Sequence, residues 1–209
     1  GLLLPDAFID AAERTGKIVD LGEWVLDEAC RQTKLWHQQG YGFLQVSVNV
    51  SARQLKDRNF FQFTMNTLAK HQLAAEYLEL ELTESCIIED VHVEILTELR
   101  SQGISIAIDD FGIGYSSFDR LRQLQVDMIK VDRSFVKSTG SPDDDAIVSA
   151  IINMAKPLGV TILAEGVETP EQLALLTKLG CHQSQGFHFS RPLDAEHFTR
   201  FLEQQDIKD

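Results

Sequence analysis

The chain has few cysteines and no long hydrophobic run. Its 209 residues include three cysteines, Cys30, Cys86 and Cys181, whose spacing fits neither a disulfide framework nor a paired metal site. We therefore expect free thiols and a reducing, cytoplasmic compartment. No segment approaches the roughly 20 apolar residues that a membrane-spanning helix needs. We expect no signal peptide and no direct membrane insertion of this segment, which can still be the cytoplasmic domain of a membrane-bound multidomain protein.

Positive charge is also scarce. The sequence has 19 lysine and arginine residues against 32 acidic ones, a formal net charge of −13. This balance argues against non-specific binding to DNA, RNA or an anionic membrane. A substrate that carries phosphate would need local cations instead, either a bound metal or a suitably placed lysine.

Short apolar runs alternate with helical segments along the whole chain, which is long enough for one domain with a substantial core. We predict strands at 43–50, 77–83, 104–109, 126–132, 160–165 and 184–190. Predicted helices lie at 20–40, 51–71, 91–102, 142–156, 170–180 and 194–204, and a short helix that follows the glycine loop ends at Leu121. Asp20 and Glu23 are expected to cap the first of these helices, and Pro157 to end the helix at 142–156 early. Six strand–helix units predict a parallel α/β sheet with right-handed crossovers. An open doubly wound sheet and a closed barrel both fit this order.

Polar residues at the strand ends favour the barrel. Each of the six predicted strands carries one, either within the strand or at its carboxyl end: Asn49, Glu81, Asp109, Lys130, Glu165 and Gln185. In a barrel these ends converge on one mouth. No G-x-G-x-x-G turn follows a strand, which weakens the nucleotide-binding open sheet.

The segment IAIDDFGIGYSS (106–117) is the most informative one. An apolar strand leads directly into Asp109 and Asp110, and a buried pair of carboxylates is costly unless a cation meets it. A divalent metal would compensate the pair. Gly112 and Gly114 in the following loop suggest a segment that moves or that lets its backbone approach a ligand.

Each of these residues also has an ordinary structural interpretation. Asn49 can cap the next helix, and Glu81 together with Glu79 can lie on a solvated strand face. Lys130 can be a surface lysine whose stem crosses apolar neighbours. Glu168 can cap the helix that begins at position 170. The six histidines are scattered, and none is assigned to a metal.

Six motifs occur in an order that resembles one known family. They are SVNVSARQL (47–55), LELELTES (78–85), IDDFGIGYSSF (108–118), VDMIKVDRSFV (126–136), ILAEGVETPEQL (162–173) and QGFHFSRPL (185–193). The motifs are spread over residues 47–193, and the resemblance that they carry extends over nearly the whole chain. The sequence resembles the EAL family of cyclic di-GMP phosphodiesterases, which are bacterial signalling domains with a TIM-like barrel.

The resemblance implies a TIM-like (β/α)8 barrel of EAL type. Six strand–helix units are visible, and two strands, one with the Glu-Ala-Leu signature, are expected upstream of Gly1. Residues 1–209 would then form an EAL phosphodiesterase domain without its N-terminal strands. A sensor or cyclase-like domain is expected upstream, and a homodimer is compatible with the family.

The resemblance also implies a site with two divalent cations, Mg²⁺ or Mn²⁺, whereas Ca²⁺ would be inhibitory. Asn49, Glu81 and Asp109 would hold the first cation together with the upstream glutamate. Asp109 would bridge to a second cation at Asp110. Lys130 would orient the attacking water, and Glu165 would act beside it as a base or a positioning group. The supporting or substrate-binding residues would be Gln185, Glu84, Glu168, Phe111 and Gly112, with Glu84 bracing the loop after Asp110.

The expected reaction is hydrolysis of cyclic di-GMP to linear pGpG. A catalytically silent receptor that binds cyclic di-GMP and signals through a partner is the alternative. An unrelated metal-dependent barrel enzyme fits the motif series poorly. DFG at 110–112 is also a protein-kinase motif, but neither the glycine-rich phosphate loop nor the HRD-type loop accompanies it.

Overall fold

The computed structural model describes residues 3–84, 86, 93–113, 118–137 and 140–205. Six parallel strands form one sheet in sequential order. They are β1 (Val46–Asn49), β2 (Leu78–Thr83), β3 (Ser105–Phe111), β4 (Met128–Val131), β5 (Thr161–Ala164) and β6 (Gln183–Ser184). This parallel order, with helices between consecutive strands, confirms the predicted α/β class.

Helices precede, connect and follow the strands along the chain. They are α1 (Ile9–Thr15), α2 (Ile18–Gln38), α3 (Ala52–Leu55), α4 (Phe60–His71), α5 (Val93–Ser101), α6 (Phe118–Leu124), α7 (Arg133–Lys137), α8 (Pro142–Leu158), α9 (Pro170–Leu179) and α10 (Ala195–Gln204). Short 3₁₀ turns precede α1 at Pro5–Ala7 and β2 at Ala75–Tyr77. No helix in the described ranges is both long and apolar enough to cross a membrane.

Strand β2 is buried on both faces. Leu78, Leu80 and Leu82 are at most 1% exposed, and they belong to the main apolar core. Glu79 and Glu81, which alternate with them, are also buried. Since successive side chains of a strand point to opposite faces, both glutamates lie on the face opposite the leucines. The alternative of a solvated strand face for Glu81 is therefore wrong.

Two helix boundaries differ from the predictions. Helix α2 begins at Ile18, not at Asp20, and Asp20 lies in its first turn, where it pairs with Lys17 at 2.9 Å. An acidic side chain in that turn suits the helix dipole without capping the helix. The predicted helix 51–71 is divided into α3 and α4, because Asp57 accepts a hydrogen bond from the backbone N–H of Asn59 in a tight turn.

Pro157 does not end α8 early. The helix continues to Leu158, and Gly159 then adopts a left-handed conformation with φ of 69°. The backbone N–H of Val160 reaches back to the carbonyl of Ala155. This is the usual glycine-terminated helix end, so the glycine determines where α8 stops.

The predicted strand 184–190 is mostly a turn. β6 has only two residues, and the N–H groups of Phe189 and Ser190 donate to the carbonyl of Gly186. Helix α7 was not predicted at all. It follows β4 directly, and the Asp132 carboxylate caps it by accepting the N–H of Ser134 at 2.8 Å.

Candidate active site

The structure brings the predicted polar residues to one edge of the sheet. Asn49 is the last residue of β1, and Glu81, Asp109 and Lys130 lie in β2, β3 and β4. Glu165 and Gln185 directly follow β5 and β6. Neighbouring strands also pair these positions, since Asn49 is opposite Glu81 in the β1–β2 register. All six predicted residues therefore lie at the same, carboxyl-terminal edge of the sheet.

Lys130 lies at the centre of this edge. Its Nζ is 2.9 Å from Glu81 Oε1, 3.0 Å from Asp109 Oδ1 and 2.8 Å from Glu165 Oε1. The residue is only 4% exposed, so the interpretation as a surface lysine is wrong. One buried ammonium therefore joins carboxylates from three strands or strand ends.

The protonation of this cluster follows from burial and contact together. Burial alone would lower the pKa of Lys130, but its hydrogen bonds with Glu165 and Glu81 raise the pKa above the usual lysine value. Burial raises the pKa of Glu165, and the contact with Lys130 opposes that rise. Lys130 is thus held as a cation across the neutral range.

A second feature is a group of three carboxylates. Oxygen atoms of Asp109, Asp110 and Glu165 lie within 4.8 Å of one another. Burial raises the pKa of Asp110, and the nearby Asp109 and Asp132 raise it further. Closely spaced carboxylate oxygens form the donor set that hard divalent cations prefer. Glu81 and Asn49 are not in this group, and Glu81 instead contacts Lys130.

Asp109 and Asp110 are not buried as a pair. Asp109 is half-buried, whereas Asp110 is exposed and has a φ of 54°. The pairing of β3 with β4 is irregular between Ile108 and Phe111. A bulge of this kind re-aims a side chain at the rim of a barrel. The bulge presents both carboxylates at the strand end. The apolar residues 106–108 that precede them do not predict this bulge.

Glu84 is connected to the loop after Asp110. Its Oε2 accepts the backbone N–H of Gly112 at 3.1 Å. Gly112 has a φ of 106°, and a Cβ atom there would lie 2.7 Å from the Phe135 ring. Phe111 is buried beneath this segment. Gly114 and positions 115–117 of the predicted loop lie outside the described residues.

The opposite side of the site is formed by the segments after β5 and β6. Gln185 donates its side-chain N–H to Glu165 Oε1 at 2.6 Å. A cavity of about 520 Å³ adjoins this pair. Its lining includes Arg133, Glu168, Phe187 and Arg191. The pocket is large enough for a nucleobase and next to the carboxylates.

Glu168 is exposed and does not cap α9. Thr169 takes that place, and its hydroxyl accepts the N–H of Gln172 while Gln172 Oε1 accepts the N–H of Thr169. Threonine is a preferred capping residue, and glutamine three residues later completes a capping box. The capping interpretation of Glu168 is therefore wrong, and its place in the pocket wall is what the structure shows.

Sequence reasoning missed the cationic part of this pocket. The Arg191 guanidinium lies 4.7 Å from the centre of the Phe187 ring, a cation–π distance. Arg133 comes from the unpredicted α7. The available signal was the QGFHFSRPL motif, which contains both Phe187 and Arg191.

A parallel α/β sheet with polar side chains gathered at the carboxyl ends of its strands is the arrangement of barrel enzymes. The EAL domain family model matches residues 1–192, and the chain belongs to this family. Its structural neighbours are EAL domains with a TIM-like barrel, of which the described residues supply six parallel strands.

Similar proteins include the bifunctional diguanylate cyclase/cyclic di-GMP phosphodiesterase MucR of Pseudomonas aeruginosa. It is 45% identical over 199 residues, which are 94% of this chain and 29% of MucR. The solved structure of the MucR phosphodiesterase with cyclic di-GMP has a TM-score of 0.91 at 44% identity, covering 95% of this chain and 81% of that one. The manganese/cyclic di-GMP complex of Klebsiella pneumoniae BlrP1 has a TM-score of 0.72 at 34% identity, covering 80% and 44%. The chain spans about a quarter to a third of the curated relatives that it matches.

Proposed function

We propose that this chain hydrolyses cyclic di-GMP to linear pGpG in bacterial second-messenger signalling. The observation that carries the proposal is the charge imbalance at the strand ends. One ammonium, that of Lys130, faces Glu81, Asp109 and Glu165, while Asp110 adds a further carboxylate at the same place. Relatives named as cyclic di-GMP phosphodiesterases are 45% and 39% identical to this chain, and the solved MucR phosphodiesterase shares its fold with a TM-score of 0.91.

The excess of carboxylates fits a site for divalent cations. Asn49, Glu81 and Asp109 would hold one cation, and Asp109 would share a second with Asp110. When bound, such ions neutralise a phosphodiester and acidify a coordinated water. We propose Mg²⁺ or Mn²⁺, because both are hard Lewis acids that accept oxygen ligands, and we expect Ca²⁺ to inhibit. BlrP1, which has a manganese complex with cyclic di-GMP, supports this choice.

Lys130 would supply positive charge, which the reaction needs most in its transition state. Its three N–H donors face Glu81, Asp109 and Glu165, and one of them would turn to the attacking oxygen when one of these carboxylates binds a cation instead. Its raised pKa means that it acts as a fixed donor and not as a base. The group that accepts a proton has to be a carboxylate nearby.

Glu165 is the best-placed carboxylate for that task. Burial raises its pKa, which brings a carboxylate closer to the range in which it can accept a proton. The hydrogen bond from Gln185 orients the same oxygen that contacts Lys130. Gln185 is therefore a positioning residue, and Glu84 has the same role for the loop at Gly112.

The cavity beside Glu165 would receive one base of the dinucleotide. Phe187 offers an aromatic face, and Arg191 and Arg133 offer hydrogen-bond donors. An arginine is the side chain that most often recognises guanine by its acceptor atoms. In a chain with a net charge of −13, these arginines would also attract the anionic substrate.

We also propose that residues 1–209 act as an EAL phosphodiesterase domain downstream of a sensor or cyclase-like domain, and that the domain can form a homodimer. MucR, a bifunctional protein of which the chain matches 29%, supports the multidomain arrangement. A cytoplasmic location is consistent with three buried cysteines that form no disulfide.

The proposal is tested by incubating the purified full-length protein with cyclic di-GMP and Mg²⁺ or Mn²⁺ and separating the products. We expect pGpG as the product, and EDTA should stop its formation. Binding of the dinucleotide without cleavage would support the receptor alternative. Neither binding nor cleavage under any of these conditions would reject the proposed function.

A further inference from the structure

We infer that Gly22, Gln54 and Ser51 form a clamp that positions Asn49 for metal binding. This inference deepens the proposed function and rests on it. None of the three residues is itself a predicted metal ligand. They control the path of the chain just after the predicted ligand at the end of β1.

The first part of the clamp is a capping box. Ser51, two residues after Asn49, is the N-cap of α3, and its hydroxyl accepts the backbone N–H of Gln54 at 3.3 Å. In return, Gln54 Oε1 accepts the backbone N–H and the hydroxyl of Ser51, each at 3.1 Å. A single side-chain oxygen thus fixes the turn from β1 into α3.

The second part is the glycine that makes room for this side chain. Gly22 is buried in the interior of α2. A Cβ atom on Gly22 would lie 1.9 Å from Nε2 of Gln54 and 2.5 Å from its Cδ. Glycine is unfavourable in a helix interior compared with alanine, so its presence here has to be explained by this contact. Gln54 is 4% exposed and its Oε1 accepts both capping hydrogen bonds, so a shift of its amide would disturb the capping box.

The third part is the position of Asn49 itself. Among the described strands, β1 has only one neighbour, β2, so its end is supported from one side. The N–H of Val50 donates to the carbonyl of Glu81 at 2.9 Å, and the capping box begins at the next residue. Asn49 is therefore held between a ladder bond to the Glu81 strand and the Gln54 clamp. Loss of the clamp frees the chain on one side of the predicted ligand.

The clamp predicts that the effect of Gly22→Ala depends on whether Gln54 is present, which a general destabilisation of the fold would not produce. Gly22→Ala should weaken Mn²⁺ binding, because the new methyl group displaces the Gln54 amide. Gln54→Ala should do the same, since it removes the capping oxygen. In the Gln54→Ala background, Gly22→Ala should do no further harm, and it should raise the melting temperature because alanine is the better helix former.

The experiment uses the full-length protein without substrate. Mn²⁺ affinity is measured by electron paramagnetic resonance, and melting temperature by circular dichroism in EDTA. We expect each single variant to bind Mn²⁺ roughly tenfold more weakly, the usual effect of removing a group that orients a ligand. Ser51→Ala should behave like Gln54→Ala, and Ser51→Thr, which keeps the hydroxyl, should restore the affinity.

Ser141→Ala is the matched control. It removes the same kind of cap, the hydroxyl that accepts the N–H of Asp144, from α8, which carries no predicted ligand. We expect a lower melting temperature with unchanged Mn²⁺ affinity. Affinities within twofold of wild type for Gly22→Ala and Gln54→Ala, or additive losses in the double variant, would overturn the inference. Wild-type protein that binds Mn²⁺ but never cleaves cyclic di-GMP would instead reject only the proposed function.

Discussion

The two ends of strand β4 carry two charged clusters of opposite character. At the amino end, Arg100 donates from Nε and Nη2 to the two oxygens of Asp127, at 3.0 and 2.7 Å. One of these oxygens also accepts the N–H of Ile106 at 2.9 Å. At the carboxyl end, three residues further on, Lys130 faces three carboxylates.

The difference lies in how completely each cluster is satisfied. Arg100 and Asp127 form a bidentate pair of one cation and one anion, and the backbone N–H of Ile106 gives the carboxylate a third hydrogen bond. At Lys130 the carboxylates outnumber the ammonium, and Asp110 adds to the excess. A cluster whose charges balance stabilises the fold. A cluster with excess negative charge at the other edge of the same sheet can bind a further cation. We therefore call the amino end of β4 the structural end of the sheet, and its carboxyl end, where we propose the active site, the functional end.

The largest expected effect comes from the carboxylate shared by both groups of the functional end. Asp109→Asn removes a charge that contacts Lys130 and also belongs to the three-carboxylate group. We expect the turnover of cyclic di-GMP to fall by roughly 10³-fold or more, with the fold intact. Glu81→Gln should act in the same direction. Turnover near the wild-type value in Mg²⁺ or Mn²⁺ would remove the metal assignment.

Removing the cation of the functional end tests whether it serves chemistry or binding. Lys130→Ala should lower kcat by about 10²-fold and change KM much less, because the charge matters most in the transition state. Steady-state kinetics at saturating metal measure the split. A change in KM alone would make Lys130 a binding residue.

Glu84→Ala should have a smaller effect at the same end. It removes the acceptor for the Gly112 N–H, so the loop after Asp110 is no longer held in one conformation. We expect about tenfold lower kcat with unchanged Mn²⁺ affinity. Glu84→Gln keeps an acceptor oxygen and should recover most of the activity. Full activity of the alanine variant together with an unchanged loop in a crystal structure would contradict the role.

The structural end should respond in the opposite way. Asp127→Asn weakens the pair with Arg100 while leaving an oxygen for the Ile106 N–H. We expect a loss of about 1 kcal/mol in the free energy of unfolding and kcat unchanged at 25 °C. Urea denaturation and kinetics on the same sample measure both quantities. A large loss of kcat without a loss of stability would break the comparison.

Glu79 should show the smallest effect, as a buried carboxyl that belongs to neither cluster. Burial raises its pKa, although the hydroxyl of Ser47 donates to it at 2.8 Å. The unfolded chain therefore ionises first as pH rises, so the folded state loses stability from about pH 4.5 up to the raised pKa. Glu79→Gln should abolish that decline and raise the melting temperature slightly at pH 7. An identical pH profile of the melting temperature in both proteins would contradict the prediction.

Particular residues show how far the sequence could be interpreted. Alternation of strands and helices predicted the parallel sheet, because only crossover connections join parallel strands. The polar residue at each strand end then had to lie at one edge, and Asn49, Glu81 and Asp109 do so. Predictions failed where one local sequence pattern was compatible with two different structures. At 184–190, the apolar pattern indicated a strand, but Gly186 allows a turn.

The sequence by itself determined the fold class, the family and the identity of the residues at the mouth of the sheet. These depend on periodicity and on motifs, which are local properties. Only the tertiary structure decided which side chains meet. Lys130 bonds to carboxylates 49, 21 and 35 positions away in the chain, and Gly22 makes room for Gln54 from another helix. Distances of a few tenths of an ångström decide such contacts, and they are set by the packing of whole elements and not by neighbours along the chain.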